Sequence, residues 1–366
     1  MKTYPLCSRT ISEARNLQFK IVDAATRFFS GNELLELGDL GVRRGTNRPL
    51  QTMHVEQVFA ESFDAEESVL VRGAGTGALR WAILSCVAPG SLVMVHDAPI
   101  YPTTQTTFET MGCKTVRANF NDDRAIIEAC SCYARHVAGV LVQHSRQSPD
   151  DSYELEHVIE LLRKELGNVP IVTDDNYAVC KVKAIGNQLG ADLATFSCFK
   201  VLGPEGVGVV LGRRRYIEKI RSLQYSGGSQ VQGHEAMEAL RGLVYAPVAL
   251  AITGEVCSEV AHRLNNGEVD HIRAAYIANA ESKAVLVEFD DDVADRLLEL
   301  APSHGAAPHP VGCESRYEFA PMFYRISATF RATDPSWQKR MIRINVMRSG
   351  ADTVIRILQE LLDEIY

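Results

Sequence analysis

Lys200 stands in Ser197-Cys198-Phe199-Lys200-Val201-Leu202-Gly203-Pro204-Glu205-Gly206-Val207-Gly208, between the apolar runs Leu193–Phe196 and Val207–Leu211. A lysine held at a strand end, in a pocket poor in water, loses affinity for its proton and becomes a nucleophilic amine. Such an amine can hold an aldehyde cofactor as a Schiff base. A surface lysine in a tight turn is the commoner account of Lys200 taken alone. Its companions in the chain weigh against that account.

The first companion is Arg72-Gly73-Ala74-Gly75-Thr76-Gly77-Ala78-Leu79, which follows a short apolar strand (Val69–Val71) and opens a helix. Glycines let backbone amides approach a phosphate, and a helix N-terminus adds partial positive charge. A dinucleotide fingerprint is one reading, with Asp97 as its acid. The third glycine falls one residue early for that pattern, and a dinucleotide leaves Lys200 unexplained. A single-phosphate cradle of Gly75, Thr76 and Gly77 explains both.

The second companion is Pro170-Ile171-Val172-Thr173-Asp174-Asp175-Asn176-Tyr177, an apolar strand ending in carboxylates. An acid at the carboxyl end of a parallel strand faces the ligand crevice. Asp174 can keep a pyridine nitrogen protonated, which makes the ring an electron sink. Asp175 would point elsewhere, and Tyr177 is placed to bond a ring hydroxyl. An Asp-Asp turn capping the next element is the competing account. Tyr101, between Pro99 and Pro102, suits stacking on a planar ring or plain packing in a rigid turn. The cluster His144-Ser145-Arg146-Gln147 ends another strand and faces the same crevice, so one of the four is expected to contact the ring substituent or the substrate, with Ser145 the candidate for the cofactor and Arg146 for the substrate. Arg343, inside the apolar alternation Met341–Val346, needs an anion, either a substrate carboxylate or a structural partner. Arg348 is expected to be solvated.

These residues need a scaffold that brings strand ends together. The chain has 366 residues, 46% hydrophobic and 23% charged, which suits an ordinary globular protein with one large and one smaller domain. A net charge of −8 argues against nucleic acid and anionic membrane as partners. No signal-peptide core follows Met1–Pro5, and no segment of membrane-spanning length is expected. Nine scattered cysteines predict reduced thiols in the cytoplasm, and Cys130 with Cys132 lacks a second pair for a metal.

Strands are predicted at 91–96, 115–118, 138–143, 170–173, 193–197 and 207–211, with helices at 11–29, 76–87, 103–111, 122–133 and 154–166. That alternation predicts an α/β layer with a mostly parallel sheet covered on both faces. A long helix over 234–264 follows. Strands near 284–289, 323–330 and 341–346 and a helix over 351–365 then predict a smaller α+β domain. The expected organisation is an N-terminal arm (1–50), a large cofactor domain (51–255) and a small domain (256–366).

The motif S-x-x-K-x-x-G-P-x-G-x-G resembles the lysine motif of class V aminotransferases and cysteine desulfurases, which are fold-type I pyridoxal-phosphate enzymes. Gly75-Thr76-Gly77, Tyr101, Asp174 and Arg343 follow in that family's order, and in detail the chain resembles the bacterial YhfS group. The resemblance implies pyridoxal 5'-phosphate as cofactor, with Lys200 carrying it and shuttling the substrate α-proton. It implies Asp174 on the ring nitrogen, Tyr101 on the ring face, and Thr76 with Ser197 on the phosphate. Tyr225-Ser226-Gly227-Gly228-Ser229 resembles a loop lent to a neighbouring subunit, with Tyr225 reaching the substrate, so the resemblance implies a homodimer with shared sites. Phe199 departs from the histidine often found before the lysine in desulfurases, and Asp174 with Tyr177 is similar to the aspartate-aminotransferase arrangement.

Three activities remain open: transamination of an amino acid or related amine, β- or γ-elimination with a second base at Tyr101 or His144, and desulfuration with Cys313 as the thiolate. A catalytically idle ligand-binding protein is the reading from another class. Arg43, Arg44 and Arg48 either favour an acidic substrate group or are solvated.

Overall fold

The structure, a computed structural model, describes residues 1–280, 282–308 and 314–366. Two compact units divide the chain. One holds Ser12–His144 with Tyr153–Pro247, the other Met1–Ile11, Ser145–Ser152 and Val248–Tyr366.

The larger unit runs α1 (Ile11–Phe28), α2 (Leu50–Ser62), β1 (Glu67–Arg72), α3 (Ala74–Cys86), β2 (Leu92–His96), α4 (Pro102–Met111), β3 (Lys114–Ala118), α5 (Asp123–Tyr133), β4 (Val137–Gln143), α6 (Leu155–Leu166), β5 (Ile171–Asp174), β6 (Leu193–Ser197), β7 (Val207–Gly212) and α7 (Arg214–Leu223). Its seven strands lie in the order β1-β7-β6-β5-β4-β2-β3, and β7 alone is reversed, antiparallel to both β1 and β6. Neighbouring residues of one strand serve opposite faces, as the two-residue period requires. Val93, Val95, Leu141 and Val172 pack with Leu79 and Ile83 of α3 and Ile217 and Ile220 of α7. Met94, Val140, Val142 and Ile171 pack with Ile126 of α5 and Val158, Ile159 and Leu162 of α6. Apolar residues on both faces are what a covered parallel sheet demands, so the predicted α/β layer is the observed one.

α8 (Gly233–Asn265) carries Pro247 inside it, and the boundary between the units falls at that residue. By length and composition it is apolar enough to cross a bilayer, contrary to the sequence expectation. Half of its most apolar window is buried, and Leu240, Leu243, Leu250 and Val260 are core residues. Its hydrophobicity is that of a core helix.

In the smaller unit, β8 (Ile272–Ala280), β9 (Ser282–Phe289), α9 (Ala294–Leu300), β10 (Met322–Arg325), α10 (Ala328–Thr333), α11 (Trp337–Arg340), β11 (Met341–Asn345) and α12 (Ala351–Ile365) follow in sequence. The strands form an antiparallel sheet ordered β10-β11-β9-β8. Val285, Val287, Phe323, Ile342 and Ile344 pack with Leu297 of α9 and Val354, Leu358 and Leu361 of α12. Segment 323–330 is not one strand: the chain leaves the sheet after Arg325, and Ser327 caps α10 by accepting the Phe330 amide at 3.3 Å.

Three backbone approaches in the larger unit hold the turn between β6 and β7. The Gly206 carbonyl accepts the amides of Gly73 at 2.8 Å and Ala74 at 3.1 Å. A Cβ on Gly208 would overlap the Ala74 carbonyl, and one on Gly242 of α8 would overlap the backbone of Leu202 and Gly203. Glycine is the residue that permits such contact. Gly208→Ala is therefore expected to destabilise the protein by about 1–3 kcal/mol through overpacking, read as a lower urea midpoint at unchanged slope.

Candidate functional site

β4, β5 and β6 are parallel, so their carboxyl ends bring His144, Asp174 and Ser197 to one edge of the sheet. The ladder runs on past the strands, with His144 N donating to Asp174 O at 3.0 Å and Asp175 N to Thr195 O at 2.8 Å. This edge is where open α/β sheets bind ligands.

Lys200 lies in the 3₁₀ turn Cys198–Val201 that leaves β6, and Leu202 closes that turn in the left-handed region. The lysine is buried, 9% exposed. Its Nζ stands 3.2 Å from the Tyr177 hydroxyl and 4.2 Å from the centre of the Tyr177 ring. A surface lysine in a tight turn is excluded by that burial. Lys181, also buried, reaches the same residue, its Nζ donating to Tyr177 O at 3.2 Å.

The two adjacent carboxylates part company, as alternation along an extended segment requires. Asp175 is fully buried and satisfied by His144 Nδ1 at 2.6 Å, Thr173 Oγ1 at 2.6 Å and Gly186 N at 3.2 Å. Asp174 instead accepts from Asn176 through Nδ2 at 2.7 Å and the backbone N at 3.1 Å, both on Oδ1. Enclosure by protein pushes the Asp174 carboxyl above its ordinary range, and the negative charge of Asp175 adds to that. The two Asn176 hydrogen bonds and the positive charge of Lys200 oppose it. A cation placed beside Asp174 would therefore favour its ionised form.

The glycine loop fits an anion. Gly73 adopts φ 98° at the start of α3, and the first-turn amides of Gly75 and Thr76 have no acceptor within the helix. A Cβ on Gly75 would overlap the Asn176 side chain, and one on Gly77 would overlap the Arg72 carbonyl. The loop is thereby held against both the Asp174 turn and its own strand. Thr76 Oγ1 lies 3.0 Å from Thr103 Oγ1, and Ser197 Oγ accepts the Phe199 amide at 3.2 Å, which leaves its proton to donate. Through the Gly206 carbonyl the start of this loop is bonded to the turn that follows the lysine. Donors for one phosphate, a carboxylate and a buried amine therefore share one edge, and a pyridine aldehyde phosphate matches that donor set.

Tyr101 precedes α4 and is 39% exposed, and Tyr225 is exposed. Ser145, Arg146 and Arg343 belong to the smaller unit. Ser145 and Arg146 are buried there, and Arg146 Nε donates to Tyr4 O at 2.9 Å. Arg343 lies on the sheet face opposite α12, stacked 4.0 Å over the Tyr324 ring. It lines a cavity of about 690 Å³ with Tyr324, Ser327, Arg331 and Glu299. Two arginines depart from expectation. Arg348 is not solvated: it is half-buried and donates to Thr253 Oγ1 at 3.1 Å and Met347 O at 3.3 Å. Arg48 pairs with the buried Glu56, which leaves it a structural cation. Cys313 lies outside the described residues.

Asn176 was missed by the sequence reading. It had a signal, because an acid followed two residues later by a hydrogen-bonding amide is a local turn pattern in which the carboxylate accepts the later backbone N–H.

Comparison with known proteins bears on this arrangement. The model of the class-V aminotransferase family matches residues 55–282, and that of the YhfS-like C-terminal domain matches 258–358. The uncharacterized protein YhfS of Escherichia coli is 49% identical over 365 residues, covering 100% of each chain. The crystal structure of that pyridoxal-5'-phosphate dependent protein matches with a TM-score of 0.97 over 100% of both chains. Human cysteine desulfurase is 31% identical over 141 residues, 38% of this chain and 27% of its own. A putative cystathionine β-lyase from Listeria monocytogenes shares the fold, with a TM-score of 0.73 at 13% identity over 97% of this chain and 95% of its own.

Because the Asp174 carboxyl is held above its ordinary 3.8, the ligand-free native state binds that proton more tightly than the unfolded chain. Its contribution to stability falls as pH rises through the raised value and stays lost at neutral pH. Asp174→Asn should leave the ligand-free protein at least as stable as the parent at pH 7. The gap should close as pH falls toward the ordinary carboxylate range, with thermal melts between pH 4 and pH 8 as the check.

Proposed function

The chain belongs to the class-V aminotransferase family, and on that footing we propose that it is a pyridoxal-phosphate-dependent aminotransferase acting on an amino acid or related amine. The observation that carries this reading is the buried Lys200 amine, 3.2 Å from the Tyr177 hydroxyl, on the same sheet edge as Asp174 and the glycine loop. Gly75, Thr76, Gly77 and Ser197 would hold the phosphate, and Tyr177 the ring hydroxyl. Bound there, the cofactor supplies an electron sink for negative charge generated at the substrate Cα.

The chain's own residues do the rest. The Asp174 Oδ atoms would hold a proton on the ring nitrogen. Lys200 Nζ would anchor the cofactor aldehyde and, as a free amine, would take the proton from the substrate Cα. Tyr177 keeps Nζ within hydrogen-bond reach, so the amine does not have to be recruited from solvent. Arg343, its plane fixed by Tyr324, receives the substrate carboxylate. Ser145 and Arg146 are assigned to cofactor and substrate, and Tyr101 to the ring face.

Elimination is the second reading, and one observation favours it: the His144 imidazole, backed by the buried Asp175 carboxylate at 2.6 Å, is built like a general base. A second copy of the chain is the proposed partner. Leu37, Leu40 and Tyr225 are all exposed, and the segments that carry them are tied together by Gly41 N to Gln232 Oε1 at 2.8 Å and Asn47 Nδ2 to Tyr225 O at 3.3 Å. Burial of these exposed apolar side chains against a second copy is the proposed basis of a dimer that shares its sites.

Purified protein should show a visible band that borohydride bleaches, and peptide mapping should find the cofactor's mass on Lys200. Lys200→Ala should lose the band and the label, with activity down by roughly 10³-fold or more. A colourless protein that takes up no pyridoxal phosphate sinks the reading. An amino-acid panel separates the reactions: one oxo acid per site without ammonia marks transamination, whereas catalytic ammonia marks elimination. Sedimentation should report a dimer, and Leu37→Glu with Leu40→Glu should shift it toward monomer.

A further inference from the structure

Among the described residues of the larger unit, one side chain touches all three parts of the cradle, and nothing above gives it a role in cofactor binding. Asn176 Nδ2 and backbone N both donate to Asp174 Oδ1, at 2.7 and 3.1 Å. Asn176 Oδ1 accepts the Ser197 amide at 2.8 Å, at the end of β6 and three residues before Lys200. The same amide group occupies the space that a Cβ of Gly75 would need. Both ends of the primary amide are therefore spent. The donor end holds the ring-nitrogen carboxylate, the acceptor end holds the strand that carries the lysine, and its flank sets the height of the phosphate loop.

We infer that Asn176 is a positioning residue for the cofactor, the latch that locks Asp174, Ser197 and the Gly75–Gly77 loop into one rigid cradle. The inference rests on the pyridoxal-phosphate reading proposed above. Only a side chain with a donor and an acceptor on one short planar group can serve Asp174 and Ser197 together. Asparagine is such a group, aspartate lacks the donor, and alanine lacks both. Without the latch, Asp174 keeps only the backbone hydrogen bond from residue 176, loses the shorter one from the side-chain amide, and can rotate away from the ring nitrogen. The Ser197 amide loses its acceptor in a buried place, and the β6 end then relaxes against the loop.

The test uses full-length protein freed of cofactor and titrated with pyridoxal phosphate, with visible circular dichroism reporting how the bound ring is held. Asn176→Ala should raise the dissociation constant by roughly ten- to a hundredfold, the loss expected for hydrogen bonds to a charged group, and should change the visible dichroism. Asn176→Asp is the nearly isosteric control, which keeps the acceptor for Ser197 and removes the donor to Asp174. It should fold like the parent by far-ultraviolet dichroism and bind still more weakly, because it adds a negative charge beside the loop.

The double variant Asp174→Asn with Asn176→Ala should bind little worse than Asp174→Asn alone, since residues that act through one another are not additive. Dissociation constants within twofold of the parent in both single variants, or fully additive losses in the double variant, overturn the inference and leave the cofactor reading standing. Failure of the parent itself to bind pyridoxal phosphate overturns both.

Discussion

The Gly206 carbonyl holds this site together. It accepts two amides from the start of α3, so the turn that follows the lysine is bonded to the loop that precedes the helix. Gly208 adds a contact that no side chain could make, and Gly242 closes the turn from the side of α8. Lys200 is therefore not on a loop in the usual sense. The turn that follows it is held against the start of α3 on one side and against α8 on the other.

Inside that clamp the neighbouring acids divide the labour by direction alone. Asp175 turns inward, where a histidine, a threonine and a backbone amide satisfy it, and it is part of the framework. Asp174 turns toward Lys200 and keeps a carboxylate whose ionised form is costly in that place. A fold tolerates such a cost where a bound cation offsets it. The pair shows how the two-residue period of an extended chain separates a structural role from a chemical one without any change of residue type.

The alternating layer was legible because its signal is strong: apolar strands of four to seven residues, amphipathic helices such as α6 with buried Leu155, Val158, Ile159 and Leu162, and turns closed by Gly112 and Gly190 in the left-handed region. What escaped was context. α2 was not assigned, since it buries Gln51, Thr52 and Glu56 among its apolar residues and so shows no clean stripe. The stretch after β10 kept its apolar residues while changing direction at Ser327, which a pattern of hydrophobicity does not record. Arg213-Arg214-Arg215 reads as a short basic run, yet Arg213 and Arg215 converge on Asp192, an acid buried at the foot of the sheet. Residue types that do chemistry announced themselves; the amide that aligns them did not, because asparagine in a turn is ordinary until its three neighbours are seen.

The pairing of Arg72 with Val207 has a consequence for the order in which the molecule matures. The parallel strand pairs here join segments close in sequence, while β1 and β7 have the longest separation of any strand pair in this sheet. Loop closure of that length is entropically expensive and comes after local structure has formed. Until it happens, the amine and the anion hole belong to separate, unfinished pieces of chain. A chain in which β1 and β7 have not yet paired thus has no preorganised cradle for an aldehyde phosphate.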